Sequence, residues 1–254
     1  MSENSSSTAD VPASRQSLMM RLLLTIGLPI WVFVGFVSAQ LAVSLVLRYP
    51  NSFGVDWATL GEATYTTVFG GVSYVLALLV IVGLPWLVFR FRTTKSDVGL
   101  QRWPAWSDIG IAPAGFLVYL VLTGVLIALA QQYLTFIDWN EAQDVGYSQV
   151  GTQFEVILAF LMLVIVAPIA EEIIFRGYLL GKLRKYAPTW LAILVTSILF
   201  GAVHGQLNVG IDTFALSIVM CLAVVLTKSL WPAILIHMMK NGLAFYFLFI
   251  NPLV

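Results

Sequence analysis

Polar residues in the C-terminal third of the chain have the types and spacing of a hydrolytic centre. Glu171 and Glu172 are adjacent, Arg176 follows, and His204 and His237 are the two histidines of the sequence. All five lie within or at the ends of long apolar segments. An ionisable group in hydrocarbon costs about 2.5–3.5 kcal/mol on insertion scales, so such groups mark a functional polar interior. This cluster is typical of an enzyme.

In the string from Pro168 to Arg176, helix geometry gives the two adjacent glutamates different partners. Glu172 and Arg176 are four residues apart, so on a helix they share a face and can form an ion pair. Glu171 is rotated by about 100° from Glu172 and stays outside that pair. Pro168 has no backbone N–H and favours a kink just before the glutamates. A purely structural salt bridge within the membrane is the alternative interpretation of this string.

Two further strings supply imidazole and amide groups. Phe200 and His204 share a helix face, as do His237 and Asn241. Donors on a fixed scaffold can stabilise a carbonyl oxygen that gains negative charge. Lys240 could compensate a glutamate charge or extend toward the membrane interface, and the sequence leaves both readings open.

Composition indicates the environment of this cluster. Of the 254 residues, 59% are hydrophobic and 10% are charged, with a net charge of zero. Soluble domains carry about 25% charged residues, so the chain is predicted to be an all-α polytopic membrane protein. A neutral chain lacks the basic surface that a nucleic-acid partner requires. The single cysteine, Cys221, is interpreted as a small buried hydrophobe.

Hydropathy predicts about seven transmembrane helices, with an eighth possible. A span needs about 20 apolar residues. The polar residues 1–18 are expected to form a disordered tail, and the segment from Arg102 to Ile111, with two tryptophans, is expected to lie at the membrane interface. The predicted spans are 22–47, 64–89, 111–136, 154–180, 189–205, 212–227 and 230–250.

The distribution of basic residues predicts the orientation. The connection around Asp138, Glu141 and Asp144 contains no basic residue, and Arg48 alone lies with it on that side. The positive-inside rule therefore places the N-terminus in the cytoplasm. Ten of the thirteen Lys and Arg residues fall at alternate connections: Arg15, Arg21, Arg90, Arg92, Lys95, Arg102, Lys182, Arg184, Lys185 and Lys228.

The three strings, in this order and spacing, resemble the CPBP family of CAAX-type prenyl proteases and bacteriocin-processing or Abi proteins. The resemblance covers residues 110–250, which would form the protease core, and leaves 19–109 as N-terminal transmembrane helices with an interfacial loop. It implies an intramembrane endopeptidase of the plasma membrane whose site opens toward the cytoplasm. Its substrate would be a membrane-associated or lipidated peptide.

The resemblance also implies roles for the motif residues. Glu171 would be the general base and His204 would help to orient the water. His237 and Asn241 would stabilise the oxyanion, while Glu172, Arg176 and Phe200 would support the site. No cofactor is expected in this reading. The alternative is a divalent metal such as zinc, held by Glu171, His204 and His237.

Two other functions use the same buried groups. A non-catalytic membrane scaffold could retain the cluster as a structural core, although it would not need both Glu171 and Asn241. A small transporter could use buried charges as a relay. The chain shows neither an internal repeat nor paired broken helices, which weakens this second alternative.

Overall fold

The computed structural model describes residues 18–49, 52–90, 92–141, 143–148 and 150–251. The predicted tail therefore lies outside the described residues, apart from residue 18, which begins the first helix. The described residues form a helical bundle, and no strand occurs among them. Its seven apolar helices are α1 (Leu18–Leu47), α2 (Glu62–Val88), α3 (Trp106–Tyr133), α4 (Gln153–Leu183), α5 (Thr189–Ala202), α6 (Leu207–Thr227) and α7 (Trp231–Ile250).

These helices confirm the all-α, polytopic fold class, and each lies at a predicted span. Within the described ranges, six are long and apolar enough to cross a membrane. The exception is α5, where the sequence predicts a span over 189–205. It has 14 residues, a length of about 21 Å against a hydrocarbon core of about 30 Å. By length, α5 is therefore too short to cross a membrane.

The N-terminal helices pack into the same core as the rest of the chain. Val32 and Phe36 of α1 and Ile81 of α2 belong to one buried cluster with Phe175 of α4 and Phe200 of α5. The rings of Phe36 and Phe175 meet edge to face, with centroids 6.0 Å apart. Helices α1 and α2 therefore form one wall of the cluster that surrounds the polar residues.

Glycines allow the backbone to approach closely at two places near the site. A Cβ on Gly177 of α4 would lie 2.8 Å from Cβ of Val98, in the segment that joins α2 to α3. A Cβ on Gly201 of α5 would lie 2.6 Å from the carbonyl oxygen of Gly210 in α6. These contacts fix α4 against the α2–α3 segment, and α5 against α6.

Two exposed tryptophans lie near the start of α3, one in the segment that precedes it and one at its first residue. Trp103 and Trp106 are 84% and 87% exposed. The ring of Trp103 stacks on that of Trp231, at the start of α7, with centroids 6.3 Å apart. The indole Nε1 of Trp231 donates to the carbonyl oxygen of Arg102 at 2.7 Å. The start of α3 is thereby joined to the start of α7.

Candidate active site

Helix α4 widens where it presents the two glutamates. Its residues Leu161–Val166 and Ile173–Leu180 are π-helical, and the N–H of Ala167 donates to the carbonyl of Met162, five residues earlier. In that pattern the carbonyl of Leu163 would be paired with the N–H of residue 168. Residue 168 is proline and has none. The expected kink is thus a wide π-helical turn that leaves the Leu163 carbonyl without a partner within α4.

Asn241 of α7 supplies the missing donor. Its Nδ2 donates to the carbonyl oxygen of Leu163 at 2.9 Å. The side-chain amide carries two hydrogens, and this bond uses one of them. Asn241 therefore binds α7 to the widened turn of α4, and its second N–H is available to another acceptor.

Glu172 is the centre of a buried ionic network. Its Oε1 accepts from Nη1 of Arg176 at 3.0 Å, and both side chains have no exposed surface. The same oxygen lies 2.8 Å from Nδ1 of His237 on α7. A carboxylate oxygen accepts, so Nδ1 of His237 carries a proton. The ion pair expected from the spacing in α4 is present, and it also positions an imidazole.

Phe200 of α5 packs against several members of this network. The Cζ atom of Arg176 lies 4.0 Å from the centroid of its ring. Its ring also meets those of His204 and His237 edge to face, at centroid distances of 5.0 Å and 5.8 Å. A desolvated cation–π contact contributes about 2 kcal/mol. Phe200 therefore stabilises the buried guanidinium and positions both imidazoles.

Glu171 lies outside that network, as its rotation predicts. Its side chain is 12% exposed. Oε1 accepts a hydrogen bond from the hydroxyl of Tyr74 on α2. Oε2 lies 3.9 Å from Nε2 of His237, which is too long for a direct hydrogen bond. Glu171 thus keeps one oxygen near an imidazole while the other is held by a tyrosine.

His204, just beyond the end of α5, has one ring nitrogen engaged by the backbone. Its Nδ1 lies 2.7 Å from the carbonyl oxygen of Phe200. A carbonyl only accepts, so Nδ1 is the donor and the neutral ring leaves Nε2 as an acceptor. Glu171, His237 and Lys240 are close enough to interact with His204 electrostatically. The structure therefore groups Glu171, His204 and His237 near Phe200, and it places Asn241 at the wide turn of α4 through its bond to Leu163.

Two contributors were not identified from the sequence. Tyr74 lies in α2, far along the chain from the motifs, and its one signal was a hydroxyl in the middle of an apolar span. Asp212 of α6 accepts hydrogen bonds at 2.7 Å from the hydroxyls of Tyr119 and Thr123 on α3. Nζ of Lys240 lies 3.9 Å from its other oxygen. The partner of Lys240 is therefore an aspartate, which neither reading of the sequence included.

The zinc alternative would use Glu171 together with the Nε2 atoms of His204 and His237. Within the part of the chain that the structure describes, no three His, Cys, Asp or Glu side chains are arranged to hold a metal ion. Nδ1 of His237 is engaged by Glu172, and Nδ1 of His204 by the Phe200 carbonyl. The same groups are arranged for proton transfer and hydrogen bonding.

Comparison with known proteins shows which family the chain resembles. Residues 153–243 match the family described as Type II CAAX prenyl endopeptidase Rce1-like. The chain is 31% identical over 213 residues to the proposed membrane peptidase YdiL of Bacillus subtilis (strain 168), covering 80% of each protein. It is 26% identical over 228 residues to the membrane-embedded CAAX protease MroQ of Staphylococcus aureus (strain USA300), covering 77% of this chain and 91% of MroQ. No solved structure matches the chain.

The family match and the motif residues fall in the same part of the chain. The family match spans the strings around Glu171, His204 and His237, and the similarity to YdiL extends over most of the chain. The apolar helices are those of an integral membrane protein. The chain belongs to the CPBP family of CAAX-type membrane proteases.

Proposed function

We propose that this protein is an intramembrane endopeptidase that hydrolyses a peptide bond of a membrane-associated or lipidated peptide with a water molecule activated by Glu171. The observation that carries the proposal is the contrast between two adjacent carboxylates. Oε1 of Glu172 is engaged by both Arg176 and His237 at a site with no exposed surface, whereas Oε2 of the partly exposed Glu171 lies 3.9 Å from Nε2 of His237. A carboxylate held in place but not consumed by an ion pair suits a general base.

The reaction needs one proton acceptor and two donors. Glu171 removes a proton from water as the oxygen attacks the carbonyl carbon, and His204 accepts a hydrogen bond from the same water through Nε2. Negative charge then develops on the carbonyl oxygen. Nε2–H of a protonated His237 and the second N–H of Asn241 donate to that oxygen. When the C–N bond breaks, the proton held by Glu171 passes to the leaving nitrogen.

Charge balance supports a protonated His237. Glu171, Glu172 and Arg176 together carry one net negative charge in a mostly buried site. An imidazolium between the two carboxylates brings that sum to zero, and charges buried without partners are costly. Glu172 and Phe200 then fix the orientation of the imidazolium, so the donor needs no reorganisation when the oxyanion forms.

The proposal includes no metal cofactor. Glu171 and His204 supply the water-activating groups, and His237 and Asn241 supply the oxyanion donors, so each role is filled by a side chain. Full activity of the purified protein after dialysis against a chelator is the expected result. Loss of activity on chelation, with recovery on adding Zn²⁺ alone, would establish a metal enzyme.

The proposed setting is the plasma membrane, with the N-terminus in the cytoplasm. The basic residues at alternate connections support this orientation. A reporter enzyme that is active only in the cytoplasm, fused at Lys95 or at Asn140, tests this orientation. We expect the reporter to be active when it is fused at Lys95 and inactive when it is fused at Asn140.

Peptide cleavage tests the activity itself. Purified wild-type protein and Glu171→Gln are incubated in lipid with a library of membrane-embedded peptides, and products are identified by mass spectrometry. We expect products with the wild type and a loss of about 10²–10⁴-fold with the variant, the usual contribution of a general base. Equal rates for the two folded proteins would remove Glu171 from the mechanism.

A further inference from the structure

A small polar cavity lies at the end of the bundle that carries most of the basic residues, and the proposed reaction does not use it. Its volume is about 130 Å³, and it lies between the ends of α4 and α6 and the segment that joins α2 to α3. Pockets for whole small molecules measure about 300–1,000 Å³, so this cavity admits a single small group. Its polar lining residues are Ser96, Asp97, Arg176, Arg184 and Lys228.

Two of the charged lining residues already have partners. Oδ1 of Asp97 accepts from Nζ of Lys185 at 3.3 Å, and its Oδ2 accepts from the backbone N–H and the hydroxyl of Thr94 at 2.9 Å and 2.8 Å. Arg176 is paired with Glu172, and its side chain has no exposed surface. Neither Asp97 nor Arg176 therefore contributes an uncompensated charge to the cavity.

The other two charged residues have no such partner. Arg184 and Lys228 are exposed, and their side chains form no ion pair or hydrogen bond within the described part of the chain. Each directly follows the last residue of a helix, α4 or α6. A helix C-terminus carries about half a negative charge, so the two ends leave about one unit of positive charge in the cavity. The hydroxyl of the exposed Ser96 adds a further hydrogen-bond donor.

Exposed tryptophans indicate how deep the cavity lies. Trp190, in the first turn of α5, is 66% exposed, and Trp103 and Trp106 are exposed near the start of α3. All three lie at the same end of the bundle as the cavity. Tryptophans of membrane proteins concentrate at the level of the lipid headgroups. The mouth of the cavity is therefore expected at that level.

We propose that this cavity binds the phosphate group of an anionic phospholipid, with Arg184, Lys228 and Ser96 as the donors. Guanidinium and ammonium groups are the usual phosphate ligands of proteins. The single negative charge of a phosphodiester balances the remaining positive charge. A small cavity holds the phosphate while the glycerol and acyl chains stay outside it. A free phosphate ion presents the same oxygens, and the anionic lipids of the cytoplasmic leaflet are the proposed source.

Lipid binding by the full-length protein tests the site without requiring protease activity. Native mass spectrometry in detergent measures the affinity for phosphatidylglycerol and for the neutral phosphatidylcholine. We expect the wild type to prefer phosphatidylglycerol. The double variant Arg184→Gln, Lys228→Asn is expected to weaken that binding by at least about tenfold, because two charge-assisted contacts are lost. Asparagine is chosen at position 228 because its φ is 55°, a conformation that asparagine adopts readily.

The matched control removes the same charges from the same end of the bundle. Arg92→Gln, Lys95→Asn changes two exposed basic residues of the α2–α3 segment that do not line the cavity. We expect its affinity for phosphatidylglycerol to change by less than about threefold, because exposed charges that touch no ligand are screened by salt. Equal losses in the two double variants, or no preference of the wild type for phosphatidylglycerol, would overturn the site.

Thermal unfolding separates the two sources of phosphate. The protein is held in phosphatidylcholine, and either phosphatidylglycerol or inorganic phosphate is added. At a hundredfold excess over Kd, phosphatidylglycerol is expected to raise the melting temperature by about 5–10 °C in the wild type and the control, and not in the cavity variant. Inorganic phosphate is expected to have no effect. A rise with inorganic phosphate and none with the lipid would overturn the assignment to a phospholipid.

A steric variant tests the cavity without changing its charge. Ser96→Trp fills the cavity, whereas Ser107→Trp adds the same side chain at an exposed serine in the first turn of α3. We expect the affinity for phosphatidylglycerol to fall at least about tenfold in Ser96→Trp and to stay unchanged in Ser107→Trp, because only the first displaces the phosphate. Wild-type affinity in both variants would mean that the basic residues attract lipid from the surface, and would overturn binding within the cavity.

Discussion

The two sides of α4 at the Glu171–Glu172 pair use the same chemical group in opposite ways. On one side Glu172 has no exposed surface, and its Oε1 bonds both Arg176 and His237. On the other side Glu171 is 12% exposed and is held by Tyr74, which lines a cavity between α1, α2 and α4. Both residues are glutamates, so the difference between their environments comes from the elements packed against each face of α4.

The contrast separates stability from reactivity within one helical turn. We call the side of Glu172 the closed side and the side of Glu171 the open side. The closed side contains a buried charge pair, and removing one partner of such a pair destabilises a protein strongly. The open side contains a carboxylate with few partners, so removing that carboxylate leaves few groups unpaired. We therefore expect substitutions on the two sides to be detected by different measurements.

The largest effect is expected from Glu172→Gln. This change leaves the Arg176 guanidinium buried without a counter-charge and is expected to lower the free energy of unfolding by about 3–5 kcal/mol. The measurement is denaturant unfolding in detergent, followed by tryptophan fluorescence. Glu171→Gln is the matched control, and its stability is expected to change by less than about 1 kcal/mol. The comparison breaks down if the two variants are equally destabilised.

Pro168→Ala tests how the two sides are assigned. Alanine restores an N–H to α4, so the wide turn can revert to an ordinary α-helix and rotate the following residues. Glu171 would then turn away from Tyr74. We expect a loss of activity of about 100-fold, the size that a misplacement of about 1 Å produces, with stability equal or higher. Pro113→Ala, within α3, is the control for replacing a proline inside a transmembrane helix.

The control should retain wild-type activity, because Pro113 lies outside the residues placed around Glu171. Full activity in Pro168→Ala would mean that the wide turn does not set the positions of the glutamates. The Leu163 carbonyl is also affected by this change. If the new backbone N–H of residue 168 donates to that carbonyl, Asn241 loses its acceptor, and α7 is held less firmly against α4.

Arg176→Lys weakens the contacts on the closed side while it keeps the positive charge. Lysine keeps the positive charge but lacks the planar group that packs over the Phe200 ring and bonds Glu172. We expect a loss of about 2 kcal/mol in unfolding free energy, the size of a desolvated cation–π contact. Unfolding in detergent measures it. An unchanged stability would show that the ring contact contributes little.

Local patterns in the sequence predicted the closed side better than the open side. Glu172 and Arg176 are four residues apart on one helix, and that spacing alone specifies their contact. The positions of the helices followed from hydropathy in the same way. The short α5 was the exception, because hydropathy reports apolar length and not where a helix turns, which here is just beyond Ala202.

The open side depends on contacts between residues far apart in the chain. Tyr74 and Glu171 are 97 residues apart, and Thr123 and Asp212 are 89 residues apart. No periodicity in a single sequence encodes such pairs. Asn241 is intermediate: its motif was recognised, but its bond to Leu163 depends on the π-helical turn that precedes Pro168. The roles assigned to the catalytic residues stay predictions.

The smallest effect, and the sharpest test of the open side, is expected from Tyr74→Phe. The change removes the hydroxyl that donates to Glu171 and leaves the ring in place. A hydrogen bond to a charged group contributes about 1.5–3 kcal/mol, so we expect kcat to fall about tenfold with KM unchanged. Tyr119→Phe is the matched control, because it removes a tyrosine hydroxyl from the carboxylate of Asp212 instead.

The two tyrosine variants separate orientation of the base from general stability. Tyr119→Phe is expected to reduce stability by about 1 kcal/mol and leave kcat unchanged, since Asp212 joins α3, α6 and Lys240 without contacting Glu171. If both variants lower kcat equally, the hydroxyl of Tyr74 acts through the fold. If only Tyr74→Phe does, the tyrosine holds the carboxylate in position for the water, and Glu171 differs from Glu172 because α2 reaches one and not the other.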